Sequence, residues 1–200
     1  MPQLLGKLEL ARCPHCNIDK PNTSNAWQGE TNDHAGRRKR AWRLYICGNC
    51  GGVIIAAAHT FSGDVIEMYP APRSVDDAIP AKARSYLTQA IQSLHAPAGA
   101  VMLAASAVDA MLKAKGYKDG SLYSRIDKAA SEHAITKEMA EWAHQVRLDA
   151  NDQRHADENA DLPDQEDAQR CLDFASALGA FMFVFPKRVQ DGLAAVIPKK

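Results

Sequence analysis

Hydrophobic and polar positions alternate only in the first third of the chain. In "RAWRLYI" (40–46), Trp42, Leu44 and Ile46 are separated by polar or charged neighbours, and the apolar run "GGVIIAAAHTF" follows. A repeat of two residues is typical of a β-strand. We therefore predict two short strands here. The preceding stretch "NTSNAWQGETNDHAGRRKR" has no such repeat and is predicted to be an extra loop.

From about residue 75 onward the strand pattern is lost and helix signals follow one another. Proline in a first turn, small polar N-caps and a terminal glycine mark helix boundaries. These residues are Pro80, Pro97, Gly116, Ser121, Thr136 and Asp164. The predicted fold class is α+β, with a small β domain at 1–70 and an all-α bundle of about five helices at 71–200. The segment "YPAPRS", stiffened by two prolines, is predicted to link them.

The fifth predicted helix carries a broad apolar face, which indicates a core helix. Its members are Cys171, Phe174, Ala175, Leu178, Phe181, Met182 and Phe185. The longest apolar run, "FASALGAFMFVF", is shorter than the roughly 20 residues that a membrane span requires. The first residues lack the apolar segment and cleavage site of a secretory signal. We therefore expect a cytoplasmic protein that does not bind membranes.

Composition and charge exclude few functions. The chain has 200 residues, 46% of them hydrophobic, as is usual for a globular protein. Its 24 basic and 24 acidic side chains cancel, so no field of the whole molecule attracts nucleic acid or an anionic membrane. Any such binding has to be local.

Four of the five cysteines form two pairs, "CPHC" and "CGNCGG". A two-residue spacing lets one tight turn direct both sulfurs at one ion, and glycine permits the backbone of such turns. The predicted ligands are Cys13, Cys16, Cys47 and Cys50. Four thiolates leave no open position on zinc, so the predicted ion is structural and the first domain resembles a zinc ribbon.

Two alternatives to a four-cysteine zinc site remain. A redox dithiol is one, although that motif needs a single pair in a βαβ setting. His15, His34 and His59 are the other, as substitute ligands.

A basic cluster lies between the cysteine pairs. It consists of Arg37, Arg38, Lys39, Arg40 and Arg43, next to Trp42 and Tyr45. Cations beside aromatic rings suit phosphate contacts and base stacking, so this cluster is a candidate binding site for RNA or another nucleic acid. The alternative is a solvated loop.

The fourth predicted helix has a polar row. At about 100° per residue, Arg147, Asn151 and His155 share one side, opposite a predicted apolar stripe of Met139, Trp142 and Val146. Leu148 lies beside the row, so we expect this surface to be covered. A covered arginine must meet acceptors, because an unpaired buried charge costs several kcal/mol.

The segments "PRSVDDAIPAKARSYLTQAIQSLHAPAGAVMLAASAVDAMLKAKG", "LYSRIDKAA" and "RLDANDQRH" resemble the bacterial domain of unknown function family 4145. Its arginine, asparagine and histidine at four-residue steps correspond to Arg147, Asn151 and His155, and Ala150 replaces a usual glycine. That family is similar to the HEPN helical superfamily. Many HEPN proteins are dimeric, metal-independent ribonucleases of toxin and antiphage systems.

The resemblance implies a homodimer formed through the helical domain, in a bacterial defence or stress setting. It also implies an alternative as an endoribonuclease, with His155 as general acid or base, Arg147 stabilising phosphorane charge and Asn151 orienting one of them. The ribonuclease motif keeps its arginine and histidine closer together than Arg147 and His155. A non-enzymatic nucleic-acid-binding or adaptor role is therefore the main expectation, with Asn151 and His155 bonding backbone or acidic neighbours such as Glu158. A purely protein-binding scaffold is the third possibility.

Overall fold

The computed structural model describes residues 2–155 and 161–196. The chain divides into two compact units, Met1–Arg73 and Ser74–Lys200. We call them the sheet unit and the helical unit and describe each by itself.

The sheet unit contains one four-stranded antiparallel sheet in the order β1-β2-β3-β4. Its strands are β1 (Thr23–Thr31), β2 (Arg40–Cys47), β3 (Val53–Ala58) and β4 (Glu67–Tyr69). Each strand pairs with its neighbour in sequence, so every connection is local. The small β domain followed by helices confirms the predicted α+β class.

The N-terminal segment covers one face of this sheet. Leu4 and Leu8 are fully buried against it, and the backbone of Leu8 both donates to and accepts from the Thr23 hydroxyl at 2.9 Å. Tyr45, also fully buried, donates its hydroxyl to the Leu5 carbonyl at 2.6 Å. The core is small; its buried members are Leu4, Leu8, Ala41, Tyr45, Ile54, Ala56, Ala58 and Val65.

Two strands were not expected from the sequence. The predicted extra loop is wrong over Thr23–Thr31, which forms β1, and β4 was missed. β1 is an edge strand with only Thr23 buried, so it shows no apolar repeat. Its pairing with β2 comes from backbone hydrogen bonds, which leave no signature in the side chains.

The more apolar side of the alternation in β2 is not its buried face. The buried positions are Ala41, Tyr45 and Cys47, whereas Trp42, Leu44 and Ile46 lie on the other face and are half-buried. The core face carries the alanines Ala41, Ala56 and Ala58, which belong to the same cluster as Leu4 and Leu8 of the N-terminal segment. We call the opposite face, which carries Trp42, Leu44 and Ile46, the outer face.

The helical unit contains five helices in its described part. They are α1 (Ala81–Gln92), α2 (Pro97–Ala114), α3 (Leu122–Ser131), α4 (Lys137–His155) and α5 (Gln165–Val196). α2 contacts α1, α3, α4 and α5. Nine of its residues are buried, which explains why its sequence is apolar on nearly all sides. It is the central helix of the bundle.

The predicted helix starts are confirmed. The Ser121 hydroxyl accepts from the Ser124 backbone N–H, and the Asp164 carboxylate accepts from Glu166 and Asp167. The Met139 N–H donates to the Thr136 hydroxyl at 3.2 Å. Each cap satisfies backbone donors that a first turn leaves free.

α5 changes its geometry midway. An α-helical part, Gln165–Gly179, is followed by a π-helical turn, Ala180–Val184, and a second α-helical part, Phe185–Val196. The predicted apolar face is correct for Cys171, which is buried in the core, but wrong for Phe181 and Phe185, which are 42% and 55% exposed. A π turn hydrogen-bonds one residue further than an α turn and so rotates later side chains out of register.

The buried face of α4 also differs from the prediction. Ala140, Ala143 and Ala150 are buried with Val146, whereas Trp142 is 44% exposed and contacts the Phe174 ring in a tilted arrangement, with the centroids 5.2 Å apart. Small alanines allow close helix packing. The buried face is therefore rotated by about 60° toward Arg147 relative to the predicted apolar stripe. Leu148 is 42% exposed, so the described part of the chain does not itself supply the cover expected over this side chain.

Two helices are long and apolar enough to cross a membrane by length and composition alone, Pro97–Ala114 and Gln165–Val196. In their most apolar windows 44% and 50% of the residues are buried within the protein. Core helices of water-soluble bundles pass the same test, so the observation is weak evidence for a span.

Candidate metal centre and nucleic-acid interface

The two cysteine pairs form matching turns. In the first, the Asn17 N–H donates to the Cys13 carbonyl at 2.9 Å; in the second, the Gly51 N–H donates to the Cys47 carbonyl at 2.9 Å. Both donors have positive φ, 59° and 70°. Asparagine tolerates this left-handed conformation better than other residues with a Cβ, which explains how the first turn forms without glycine.

These turns bring four sulfurs together. The Sγ atoms of Cys13, Cys16, Cys47 and Cys50 all lie within 4.8 Å of one another, and those of Cys13 and Cys50 are 3.9 Å apart. A tetrahedral ion with metal–sulfur bonds of about 2.3 Å needs sulfurs roughly 3.8 Å apart. The cluster therefore fits a metal ion with four thiolate ligands. At 3.9 Å, Cys13 and Cys50 are too far apart for a disulfide.

Hydrogen bonds at the cluster favour the thiolate form at one position. Burial raises the pKa of the Cys13 thiol. At Cys16 burial acts in the same direction, but hydrogen bonds from the Ile18 backbone and the Asn49 side chain outweigh it and lower the pKa to about 7. The Asn49 amide lies 3.5 Å from the Cys16 sulfur. A bound cation would supply the charge that the remaining thiols need in order to ionise.

Histidines are not part of the sulfur cluster in the described chain. The His15 Nε2 lies 2.7 Å from the Val53 carbonyl, and its ring packs on Gly52, where an added Cβ would lie 2.5 Å from the ring. His15 thus joins the first turn to β3 through packing. This close approach explains a glycine at position 52.

The outer face of the sheet carries an exposed row of apolar side chains. Trp27, Leu44, Ile55 and Tyr69 are cross-strand partners and run across all four strands. The two ends of the row are the most open, with Trp27 54% and Tyr69 57% exposed. Side chains that neighbour one another across strands lie on the same face, so the row is continuous.

Trp27 lies flat along its strand. A Cβ added at Gly29 would meet two carbons of the Trp27 ring at 2.5 Å, so the ring covers that glycine. Trp42, the cross-strand partner of Gly29, donates its indole N–H to the Thr31 hydroxyl at 2.8 Å. The sequence singled out Trp42 but neither Trp27 nor Tyr69. A tryptophan in an otherwise polar stretch was the available signal.

The basic cluster lies mainly in the β1–β2 loop, which ends at the same sheet. The Asp33 carboxylate accepts from the backbone N–H groups of Arg37 and Arg38, which shapes the loop. Lys39 pairs with Glu30 at 2.9 Å, and Arg40 pairs with Glu67 at 3.0 Å. These four residues of the cluster line a shallow cleft of about 310 Å³ together with His59 and Ile66; they are Arg37, Arg38, Lys39 and Arg40.

Arg43 is separate from the other four cations. It lies on the core face of β2, with its guanidinium 5.2 Å from the centre of the Phe61 ring. Its Nε is buried and has no hydrogen-bond partner. The structure therefore brings Arg37, Arg38, Lys39 and Arg40 together and leaves Arg43 on the opposite side of the strand.

Arg147 of the helical unit lies between the buried face of α4 and solvent. Its guanidinium is 5.3 Å from the centre of the Tyr123 ring, which also contacts the His144 ring at 4.7 Å. His144 binds Asp127 at 2.9 Å. Within the described residues no carboxylate pairs with Arg147, and its buried Nε has no partner. The face of the Tyr123 ring therefore stabilises the positive charge of Arg147 through a cation–π interaction.

Asn151 and His155 follow Arg147 on α4 and are exposed. At 1.5 Å per residue, Arg147 and His155 are about 12 Å apart along the helix axis. Glu158, named above as a partner for these side chains, lies outside the described residues. The structure therefore places the three residues on one side of α4 but does not bring their side chains to one point.

One protein-family model, described as Domain of unknown function (DUF4145), matches residues 88–197. These residues include α2 to α5 and the row of Arg147, Asn151 and His155. Neither a curated protein nor a solved structure matches the chain.

Proposed function

Since the chain belongs to the family described as domain of unknown function DUF4145, which names no activity, we propose its function from geometry. The protein is a non-enzymatic RNA-binding or adaptor component, with a structural zinc ion in the sheet unit. Its proposed setting is the bacterial cytoplasm, in a defence or stress system. The observation that carries the proposal is the apolar row of the outer face, with an exposed aromatic ring at each end, beside a basic loop.

Zinc is the ion we propose for the four-cysteine cluster. Four thiolates at tetrahedral spacing suit zinc in an intracellular protein, and a closed sulfur shell leaves no position for catalytic water. Cys13, Cys16, Cys47 and Cys50 would hold the ion. Its contribution is to fix the two turns, and with them the sheet.

Single-stranded RNA fits the outer face. Flat rings at both ends of the row, Trp27 and Tyr69, offer surfaces on which unpaired bases stack regardless of sequence. Arg37 and Arg38, whose side chains form no ion pair among the described residues, lie in the loop at the end of the sheet and can contact phosphates. Lys39 and Arg40 first have to exchange Glu30 and Glu67 for phosphate.

Anisotropy of a fluorescently labelled 12-nucleotide oligouridine, titrated with full-length protein, tests this proposal. Stacking contributes roughly 1–3 kcal/mol per base, so Trp27→Ala and Tyr69→Ala should each weaken binding by about 5- to 100-fold. The Arg37→Gln/Arg38→Gln variant should weaken binding and flatten its salt dependence. Trp142→Ala, which removes a 44% exposed tryptophan of the helical unit, is the matched control. Equal affinity of wild type and all outer-face variants would contradict RNA binding by this surface.

A protein-binding scaffold is the second candidate, and the end of α5 favours it. Phe181, Phe185, Val189, Leu193 and Val196 form an apolar stripe that is 42–79% exposed. The stripe is nearly symmetric about Val189. In an antiparallel pair of copies centred there, Phe185 would face Leu193 of the second copy. Such self-complementarity is what a twofold interface requires.

Light scattering after size exclusion tests the homodimer. We expect a dimer for the wild type and a monomer for Val189→Glu/Leu193→Glu. Ala194→Glu, on the opposite side of the same helix, is the matched control for added charge and should remain dimeric. A wild type that is monomeric at about 100 µM, well above a micromolar Kd, contradicts this surface as a homodimer contact.

The ribonuclease alternative rests on Arg147, which lacks a carboxylate partner among the described residues. Metal-independent cleavage predicts RNA degradation in the presence of chelator, and loss of degradation in His155→Ala with the helical unit still folded. Cleavage that persists in His155→Ala comes from another residue or from a contaminant.

A further inference from the structure

The shallow cleft at one end of the sheet, which we call the basic cleft, is concave, unlike the outer face beside it. Its volume of about 310 Å³ is at the lower end of the range of small-ligand sites. Because the sheet is an antiparallel meander, the β1–β2 loop and the β3–β4 connection meet at this end. Both supply walls, so side chains surround the space from several directions. They are Arg37, Arg38, Lys39, Arg40, His59 and Ile66.

The walls of the basic cleft contain cations and, among the described residues, no carboxylate. Two of the four cations are paired with glutamates, whereas Arg37 and Arg38 are exposed and form no ion pair within the described part of the chain. Asp33 of the same loop accepts from backbone N–H groups at 2.7 and 3.3 Å, not from a guanidinium. The walls and their ion-pair partners thus have a formal excess of two positive charges, four cations against two glutamates.

Two free guanidinium groups in a concave site favour a terminal phosphate over an internal one. An internal phosphate of RNA carries one negative charge, and the chain leaves it in two directions. A terminal phosphate carries about 1.5 to 2 negative charges at pH 7 and presents three free oxygens. A guanidinium binds two such oxygens at once through parallel N–H groups. The terminal group therefore matches both the charge and the enclosing shape of the basic cleft.

The basic cleft is continuous with the outer face. Arg40, Trp42 and Leu44 alternate with the buried positions of β2 and follow one another in steps of about 6.6 Å. The Trp27 ring extends over Gly29, the cross-strand partner of Trp42, so both indoles lie one step from Arg40. An RNA end in the cleft would thus place its first bases over these aromatic rings.

From the charge, the shape and this continuity we infer that the basic cleft binds the terminal phosphate of a single-stranded RNA, so that the protein selects phosphorylated RNA ends. This selection rests on the RNA binding proposed above, because the outer face has to hold the adjoining bases. Arg37 and Arg38 contact the phosphate. The ion pairs of Lys39 and Arg40 with their glutamates stay intact.

Competition against the labelled 12-nucleotide oligouridine, at one fixed ionic strength, tests the inference. The unlabelled competitors are 12-nucleotide oligouridines with a 5′-phosphate, with a 3′-phosphate or with hydroxyl groups at both ends. One phosphorylated RNA should bind about 10-fold more tightly than the hydroxyl-ended RNA, the usual effect of a charge-assisted contact, and it identifies the end that the cleft binds. A hydroxyl-ended 13-nucleotide oligouridine, which adds only an internal phosphate, should lack this gain.

Variants of the full-length protein assign the preference to the basic cleft. Arg37→Gln/Arg38→Gln should abolish the preference for the phosphorylated end. Trp27→Ala should weaken the binding of all competitors and keep the preference, because it removes stacking alone. The matched control is Lys7→Gln/Lys20→Gln, which removes two exposed cations of the sheet unit that do not line the cleft and should keep the preference.

The outcomes separate this selection from RNA binding itself. Equal affinity for phosphorylated and hydroxyl-ended RNA overturns the inference and leaves the RNA surface standing. So does an equal gain for the 13-nucleotide RNA, which would reflect charge alone. A preference that persists in Arg37→Gln/Arg38→Gln overturns the assignment to the basic cleft. Absence of binding by every oligouridine contradicts the proposed RNA surface and the inference together.

Discussion

The sheet unit and the helical unit differ most in the size of their cores. Eight buried residues form the core cluster of the sheet unit, whereas 29 form that of the helical unit. A small domain buries too little apolar surface to offset its conformational entropy. We therefore expect the sheet unit to depend on the cross-link that a metal ion at the four cysteines would supply, and the helical unit to depend on its own core.

The largest expected effect is unfolding of the sheet unit when the proposed metal ion cannot bind. Metal binding contributes on the order of 10 kcal/mol to small metal domains, more than such a domain has to spare. In full-length Cys47→Ser, amide hydrogen exchange should become fast across β2 and β3 and stay slow in α2. The control is Cys171→Ala, which removes the one thiol outside the cluster and should retain protection in β2. Slow amide exchange of β2 in Cys47→Ser would show that the core of the sheet unit keeps it folded without the ion.

The second effect concerns the core of the helical unit. Phe174 is 1% exposed, and Phe174→Ala should lower the free energy of unfolding of this unit by about 3–5 kcal/mol. Leu162→Ala, just before α5 and 83% exposed, should change it by less than about 0.5 kcal/mol. Urea unfolding followed by circular dichroism measures both. Equal losses for the two variants would mean that Leu162 is covered in solution.

A smaller effect is expected where the two cysteine turns meet. In Gly52→Ala the new Cβ would overlap the His15 ring, which has to move away from Val53. Residues that support metal ligands typically change affinity by 10- to 100-fold, and we expect about 10-fold weaker zinc binding in competition with a chromogenic chelator. Gly6→Ala is the control, since its Cβ would have an ordinary contact of 3.8 Å. Unchanged affinity in Gly52→Ala would make the His15 contact incidental.

The smallest effect is the loss of a helix cap. Ser121→Ala removes the acceptor for the Ser124 N–H and should lower the stability of the helical unit by about 1 kcal/mol. Ser131→Ala, at the other end of α3, is the control for loss of an exposed hydroxyl and should change stability less. The urea midpoint of the helical unit reports both. A larger loss in Ser131→Ala contradicts the capping role of Ser121.

The sequence predicted the parts of this molecule that depend on local chemistry. Helix starts at Ser121 and Asp164 follow from short polar side chains next to free N–H groups, and the two cysteine turns follow from spacing. Both kinds of signal lie within a few consecutive residues. They were therefore readable without knowledge of the tertiary structure.

Features that depend on distant neighbours were not readable. β1 is held by the backbone of β2, and the direction of the sheet is set by the N-terminal segment that covers Ala41 and Tyr45. In α5 the π turn alters the phase that an ideal helix would have, so Phe185 is exposed.

The most direct test of the account is the ligation of the metal in protein purified without added metal or chelator. We predict one zinc ion per chain, and an X-ray absorption spectrum that fits four sulfur neighbours at about 2.3 Å. Folded protein without bound metal, or a zinc shell that includes nitrogen or oxygen ligands, would contradict the four-cysteine centre on which the sheet unit depends.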